Sequence, residues 1–118
     1  RTVDALSVIG KPAVSALAEA LKNEDVYARL SAALALGLIG EPSAPIVGEL
    51  AALLKDPHPL VRDEAASALG FIGPAAHKAV PALNEALKDE NEDVRSAAAD
   101  ALKKIGKPKA KKVEGKSS

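Results

Sequence analysis

The chain has 118 residues, 47% of them apolar, yet only one Phe, one Tyr and no Trp, Met or Cys, so one domain's interior must be built from Ala, Leu, Val and Ile. Lack of cysteine excludes disulfides, thiolate nucleophiles and zinc–thiolate sites and leaves the compartment open, and no run approaches the roughly 18 apolar residues that span a bilayer, so a soluble chain is expected. The formal net charge of zero is unevenly spread: residues 107–118 hold five Lys and one Glu, a net of +4, leaving −4 on residues 1–106.

Residues Arg1–Gly10, RTVDALSVIG, predict one helix, and Lys11–Lys22 predict another, with Val14, Leu17, Ala18 and Leu21 at the i, i+3, i+4, i+7 spacing of an amphipathic face. Pro12 suits its first turn. Asn23-Glu24-Asp25 breaks the pattern and offers capping side chains to a helix over about Val26–Leu38. Gly40 then stands where a left-handed stop is wanted, and Ile-Gly recurs at Gly10, Gly73 and Gly106. Glu41–Gly73 predicts helices at about Ser43–Leu54 and Pro59–Phe71. Pro74–Gly106 predicts them near Ala75–Leu87 and Glu92–Lys104, with Pro81 kinking the first or marking its true start. Lys107–Ser118 has no apolar periodicity and is expected to be a disordered tail.

These segments are copies of one another. VRDEAASALGFIG at Val61–Gly73 aligns with ARLSAALALGLIG at Ala28–Gly40 and VRSAAADALKKIG at Val94–Gly106, each 33 residues away. A period of that length signals stacked units, each burying its apolar face against its neighbours. The domain expected is 1–106, with a half repeat at 1–10, repeats at 11–40, 41–73 and 74–106, and the tail at 107–118. The half repeat at the start suggests a fragment or processed product, with a further repeat or a second copy packing on the N-terminal helix.

The form Asp-x5-Arg-x2-Ala-Ala-x-Ala-Leu-Gly-x-Ile-Gly, here Asp56, Arg62, Ala65, Ala66, Ala68, Leu69, Gly70, Ile72 and Gly73, resembles the short HEAT-like repeats of the phycobilisome-lyase type over about residues 1–106. Asn23 and Lys103 depart from it. The resemblance implies an all-α fold, a right-handed α-solenoid of stacked antiparallel helix pairs, here about seven helices, with the second helix of each pair lining the concave side. It implies no activity, since that family includes scaffolds, lyases, hydroxylases and DNA glycosylases.

Arg29, Arg62 and Arg95 each follow Asn23, Asp56 and Asp89 by six residues. Three regularly spaced cations fit a phosphate backbone, but the expected reading is a structural ladder: each acidic or amide side chain caps its second helix and pairs with an Arg of its own or an adjacent unit, as similar HEAT-like repeats use these positions. HEAT-like metal hydroxylases carry a His-Glu pair where this chain has Asp63-Glu64, so no metal set is present. His58 and His77 read as loop residues. The scarcity of aromatics and the acidic body argue against a glycosylase.

Two stripes divide Val61–Gly73. Val61, Ala65, Ala68, Leu69 and Ile72 form the core side; Leu60, Glu64, Ser67 and Phe71, offset by about 100°, are expected on the concave side. Their counterparts are Tyr27, Ser31, Leu34 and Leu38 before, and Asp93, Ala97, Asp100 and Lys104 after. The polar last copy reads as a C-terminal cap. The function expected is a non-catalytic scaffold binding a protein or peptide through Tyr27, Leu30, Leu34, Leu38, Leu60 and Phe71, with Asp63 and Glu64 as polar rim. No cofactor, small-molecule substrate or membrane is implied. The alternatives are a subunit of a phycobilin lyase or related enzyme, and nucleic-acid binding through the basic tail, which a chain of five lysines without interleaved aromatics favours less than a solubilising end.

Overall fold

Proline and glycine punctuate each unit, and the backbone follows them. A computed structural model describes residues 12–106, and all regular structure within them is helical. Helix α1 covers residues 12–20. Helix α2 (Val26–Ile39) starts at Asp25, whose Oδ1 accepts the Tyr27 N–H at 3.3 Å, and stops at Gly40, whose N–H donates to the Leu36 carbonyl. Helix α4 (Pro59–Ile72) repeats this with Pro59 at its start and Gly73 at its stop, and α6 spans Glu92–Gly106.

Both stop glycines have positive φ, 81° at Gly40 and 79° at Gly73, but ψ of −134° and −149° in place of the expected left-handed helical value. That region is essentially closed to side chains bearing a Cβ. Gly106 is the last described residue of α6, and Gly10 lies outside the described residues, as do the expected N-terminal half repeat and the tail.

The first helices of the units are broken where whole ones were expected. A 3₁₀ helix at Glu41–Ile46 precedes α3 (Val47–Ala52), and a second 3₁₀ turn follows at Leu53–Lys55. Pro45 sits within the first piece; it lacks the N–H that an α-turn needs, and its ring crowds the preceding turn. In the next unit a 3₁₀ helix at Gly73–Ala79 leads into α5 (Val80–Ala86), with Pro81 in the first turn of α5. Pro81 thus marks a start. The described residues therefore hold five α-helices bounded at both ends, together with α1, and not seven whole helices.

The second helices lie side by side, α2 on α4 and α4 on α6. Small residues set that spacing. A Cβ on Gly37 would stand 2.8 Å from the Ala68 Cα and 3.0 Å from its Cβ, and one on Gly70 would stand 3.1 and 3.3 Å from the same atoms of Ala101. The contacts match in register, near the C-terminal end of both helices, so the three run parallel. Behind them α3, α5 and the 3₁₀ segments form a second layer. The core lies between the layers: Val61, Ala65, Ala68, Leu69 and Ile72 are buried as expected, with Leu36, Leu50 and Leu83, each Leu contributing about 1.5–3 kcal/mol. Ser43, Asp56 and Arg62 are the buried polar residues among those described, and the Ser43 hydroxyl donates to the Leu36 carbonyl at 2.8 Å. No helix among the described residues is long and apolar enough to cross a membrane.

Candidate functional site

The repeated Arg and Asp positions separate cleanly from the variable ones. Arg29 donates through Nε to Asp56 Oδ2 at 2.8 Å and through Nη2 to Asp56 Oδ1 at 3.2 Å, while Nη1 donates to the carbonyls of Asn23 and Glu24. Thirty-three residues on, Arg62 does the same to Asp89, at 2.9 and 3.2 Å, and to the carbonyls of Asp56 and Pro57. Each guanidinium thus ties the loop before its own helix to the carboxylate of the following unit. The planar fork with its several donors suits this double duty; a lysine ammonium could not fill it. Arg95 keeps the loop bond, to the Asp89 carbonyl at 2.7 Å, but is exposed and pairs with no carboxylate among the described residues.

The ladder residues do not cap the helices, contrary to the sequence expectation. Asn23, Asp56 and Asp89 each accept an N–H two residues on, from Asp25, His58 and Asn91. Those three donors are themselves the caps. Asp25 accepts from Tyr27, the Nδ1 of His58 accepts the Leu60 N–H at 3.2 Å, and the Asn91 Oδ1 accepts from Asp93 and Val94. His58 is therefore a helix cap and not an idle loop residue, a role its position one residue before Pro59 signals. His77 is exposed in the Gly73–Ala79 turn.

The variable stripe forms a continuous exposed face across the second helices. Tyr27 is 71% exposed, Leu38 70%, Leu60 52%, Phe71 50% and Leu34 42%. Leu30, Asp63 and Glu64 are half-buried. Because α2, α4 and α6 are parallel and in register, equivalent positions form rows: Leu38, Phe71 and Lys104; Leu34, Ser67 and Asp100; Tyr27, Leu60 and Asp93. The first row is physically joined, since the Phe71 Cδ2 lies 3.3 Å from the Cβ position of Gly37 and the Lys104 Nζ stands 5.0 Å from the Phe71 ring centroid. That Nζ also pairs with Asp100 at 3.1 Å. The face grades from apolar on α2 to charged on α6.

Asp63, Glu64 and Asp93 have no ion-pair partner among the described residues. Burial raises the Asp63 carboxyl above the ordinary range, and the Asp93 charge adds to this. Glu64 is raised by burial and then by Asp63. Asp89 behaves oppositely: burial pushes it up, but the Asn91 N–H and the Arg62 bond and charge, with a contribution from Arg95, outweigh that and hold it below the usual carboxylate range. The three unpaired carboxylates do not converge; no group of three or more potential metal ligands comes together among the described residues.

A separate cleft of about 370 Å³ opens on the ladder side, lined by Leu54, Lys55, Arg62, Ala82, Glu85 and Asp89 among others. Of its charged groups, Arg62 is paired with Asp89 and Lys55 with Glu85 at 3.7 Å.

A model of the HEAT repeat family matches residues 47–113. The chain is a HEAT-repeat protein. No curated protein matches it in sequence. HEAT repeats generally mediate contacts between proteins, and in this HEAT-repeat protein the repeated positions are mostly buried or half-buried, as in the core stripe and the Arg29–Asp56 and Arg62–Asp89 pairs. The exposed rows are where the repeats differ.

Proposed function

We propose that this HEAT-repeat protein is a non-catalytic scaffold that holds a protein or peptide against its second-helix face, which lines the concave side of a right-handed α-solenoid. The observation that carries the reading is the exposed apolar set Tyr27, Leu34, Leu38, Leu60 and Phe71 on the neighbouring helices α2 and α4. A monomeric surface tolerates scattered apolar side chains, but a cluster of large ones on one face marks a contact surface. Burying one Leu or Phe there contributes roughly 1.5–3 kcal/mol before the cost of association. Leu30 at the edge and Asp63 and Glu64 beside the cluster complete it as a half-buried rim. The ladder arginines, with their donors directed at Asp56, Asp89 and loop carbonyls, are committed to the frame and leave nucleic-acid phosphates little to bind.

The test is affinity capture with the whole chain, with Leu34→Asp and Phe71→Asp, and with a chain lacking Lys107–Ser118. Because both substituted positions are exposed, circular dichroism should show intact helices in both variants. Partners lost on substitution of the face and kept on loss of the tail support the scaffold. Partners that follow the tail alone, or a pigment that copurifies, overturn it.

A further inference from the structure

The exposed apolar face has a particular electrostatic setting. The described residues carry nine Lys and Arg against fourteen Asp and Glu, a net of −5. Of the cations, Arg29 and Arg62 are locked into the ladder. On the second-helix rows only Lys104 remains against Asp63, Glu64, Asp93 and Asp100, and it is already held by Asp100. Beyond burial, the Asp93 charge raises the Asp63 carboxyl and the Asp63 charge raises that of Glu64. This half of the face thus stores repulsion that an incoming cation relieves.

Lys104 shows how such a cation seats. Its aliphatic stem lies against the α4–α6 contact, with Cδ 3.5 Å from where a Gly70 Cβ would stand, and its ammonium sits over the Phe71 ring beside a carboxylate. Aromatic face and carboxylate together make a good lysine or arginine seat. The Leu60 row repeats the theme, an exposed apolar side chain flanked by Asp63, Glu64 and Asp93.

We propose that the occupant of this face is a basic amphipathic segment of a partner protein, its apolar side chains on Leu34, Leu38 and Phe71 and its Lys or Arg side chains on Asp63, Glu64 and Asp93. This rests on the scaffold reading and adds the partner's chemistry. A second copy of this chain is a poorer match because its rows offer the carboxylates of Asp63, Glu64 and Asp93 no cation but Lys104, which Asp100 already holds. A phosphate backbone would meet repulsion from the same carboxylates.

The experiment is a titration of the full chain, at low and high salt, with three synthetic amphipathic helices of about four turns, identical in their Leu stripe and carrying Lys, Gln or Glu on the flanks. The Lys peptide is expected to bind on the order of tenfold more tightly than the Gln peptide at low salt, and the Glu peptide most weakly. The advantage should vanish in the Asp63→Asn, Glu64→Gln, Asp93→Asn triple variant, whose isosteric changes remove repulsion and keep the fold. Phe71→Asp should weaken the Lys and Gln peptides alike. Equal binding of the Lys and Gln peptides, with loss on Phe71→Asp, overturns the basic partner and leaves the scaffold reading standing. Lys-peptide binding that ignores Phe71→Asp, or no binding by any peptide, overturns both. Lys-peptide binding only after removal of residues 107–118 makes the chain's own tail the occupant, and self-association lost in Phe71→Asp makes it a second copy; either result overturns the assignment.

Discussion

Arg62 and Arg95 occupy equivalent places and have different neighbours, which makes them a controlled pair. Arg62 joins two units through four hydrogen bonds and is only 11% exposed in its side chain. Replacing it by Ala strands a nearly buried Asp89 carboxylate and two loop carbonyls, so Arg62→Ala should cost about 3 kcal/mol in denaturant unfolding. Arg95→Ala loses one exposed bond and should cost less than about 1 kcal/mol. Equal losses would mean that the Asp89 pair contributes nothing. The acidic rim gives a prediction of opposite sign. The carboxyls of Asp63 and Glu64 are raised in the folded chain, so the folded state holds protons more tightly than the unfolded one, and stability falls as pH rises through that window. An Asp63→Asn, Glu64→Gln chain should melt higher than the parent at neutral pH, and the gap should close as pH falls below the ordinary carboxylate range. A gap independent of pH would show that the effect is not ionisation. Below that range Asp89, held low by its partners, loses its own contribution as it protonates.

At the scale of elements, the spacing between second helices depends on glycine more at one crossing than at the other. Gly37→Ala would press a methyl to 2.8 Å from the backbone of Ala68, while Gly70→Ala meets Ala101 at 3.1 Å. Alanine gains about 1 kcal/mol in helix propensity, and overpacking costs about 1–3 kcal/mol. Gly37→Ala should therefore lower the melting temperature, with Gly70→Ala near neutral; the reverse order would show that α2 and α4 yield more easily than α4 and α6. Lys103 holds the equivalent place on α6 and is exposed, which explains why that copy departs from glycine: among the described residues no helix lies against it. Leu87 tells the same story, at 39% exposed where Leu21 and Leu54 are 3% and 5%.

For the whole molecule, periodicity carried most of the legible information. Second helices were readable to within a residue or two because one amphipathic stripe, a cap and a stop coincide in each. First helices were not, since the apolar spacing of Ser43–Leu54 continues through Pro45 while the backbone cannot hold α-turns there. The exposed rows were legible as positions where copies disagree, although Leu30 proves half-buried. Two things escaped: the caps at His58 and Asn91, because the repeated Asp two residues earlier drew attention away from them, and the Lys104 seat on Phe71, because it spans two units.

The ladder has one more consequence. Each guanidinium bonds backward to its own loop and forward to the next unit's carboxylate, so losing one unit removes ligands from its neighbour, and the bonds act as a coupling constant in a one-dimensional chain. With Arg62 intact, α2 and α6 should melt as one cooperative block. With Arg62→Ala the block should divide at α4, visible as a broadened or two-step transition and as amide exchange that becomes faster around Asp89–Val94 than around Asn23–Val26. A single sharp transition in that variant would place the cooperativity in the helix contacts alone.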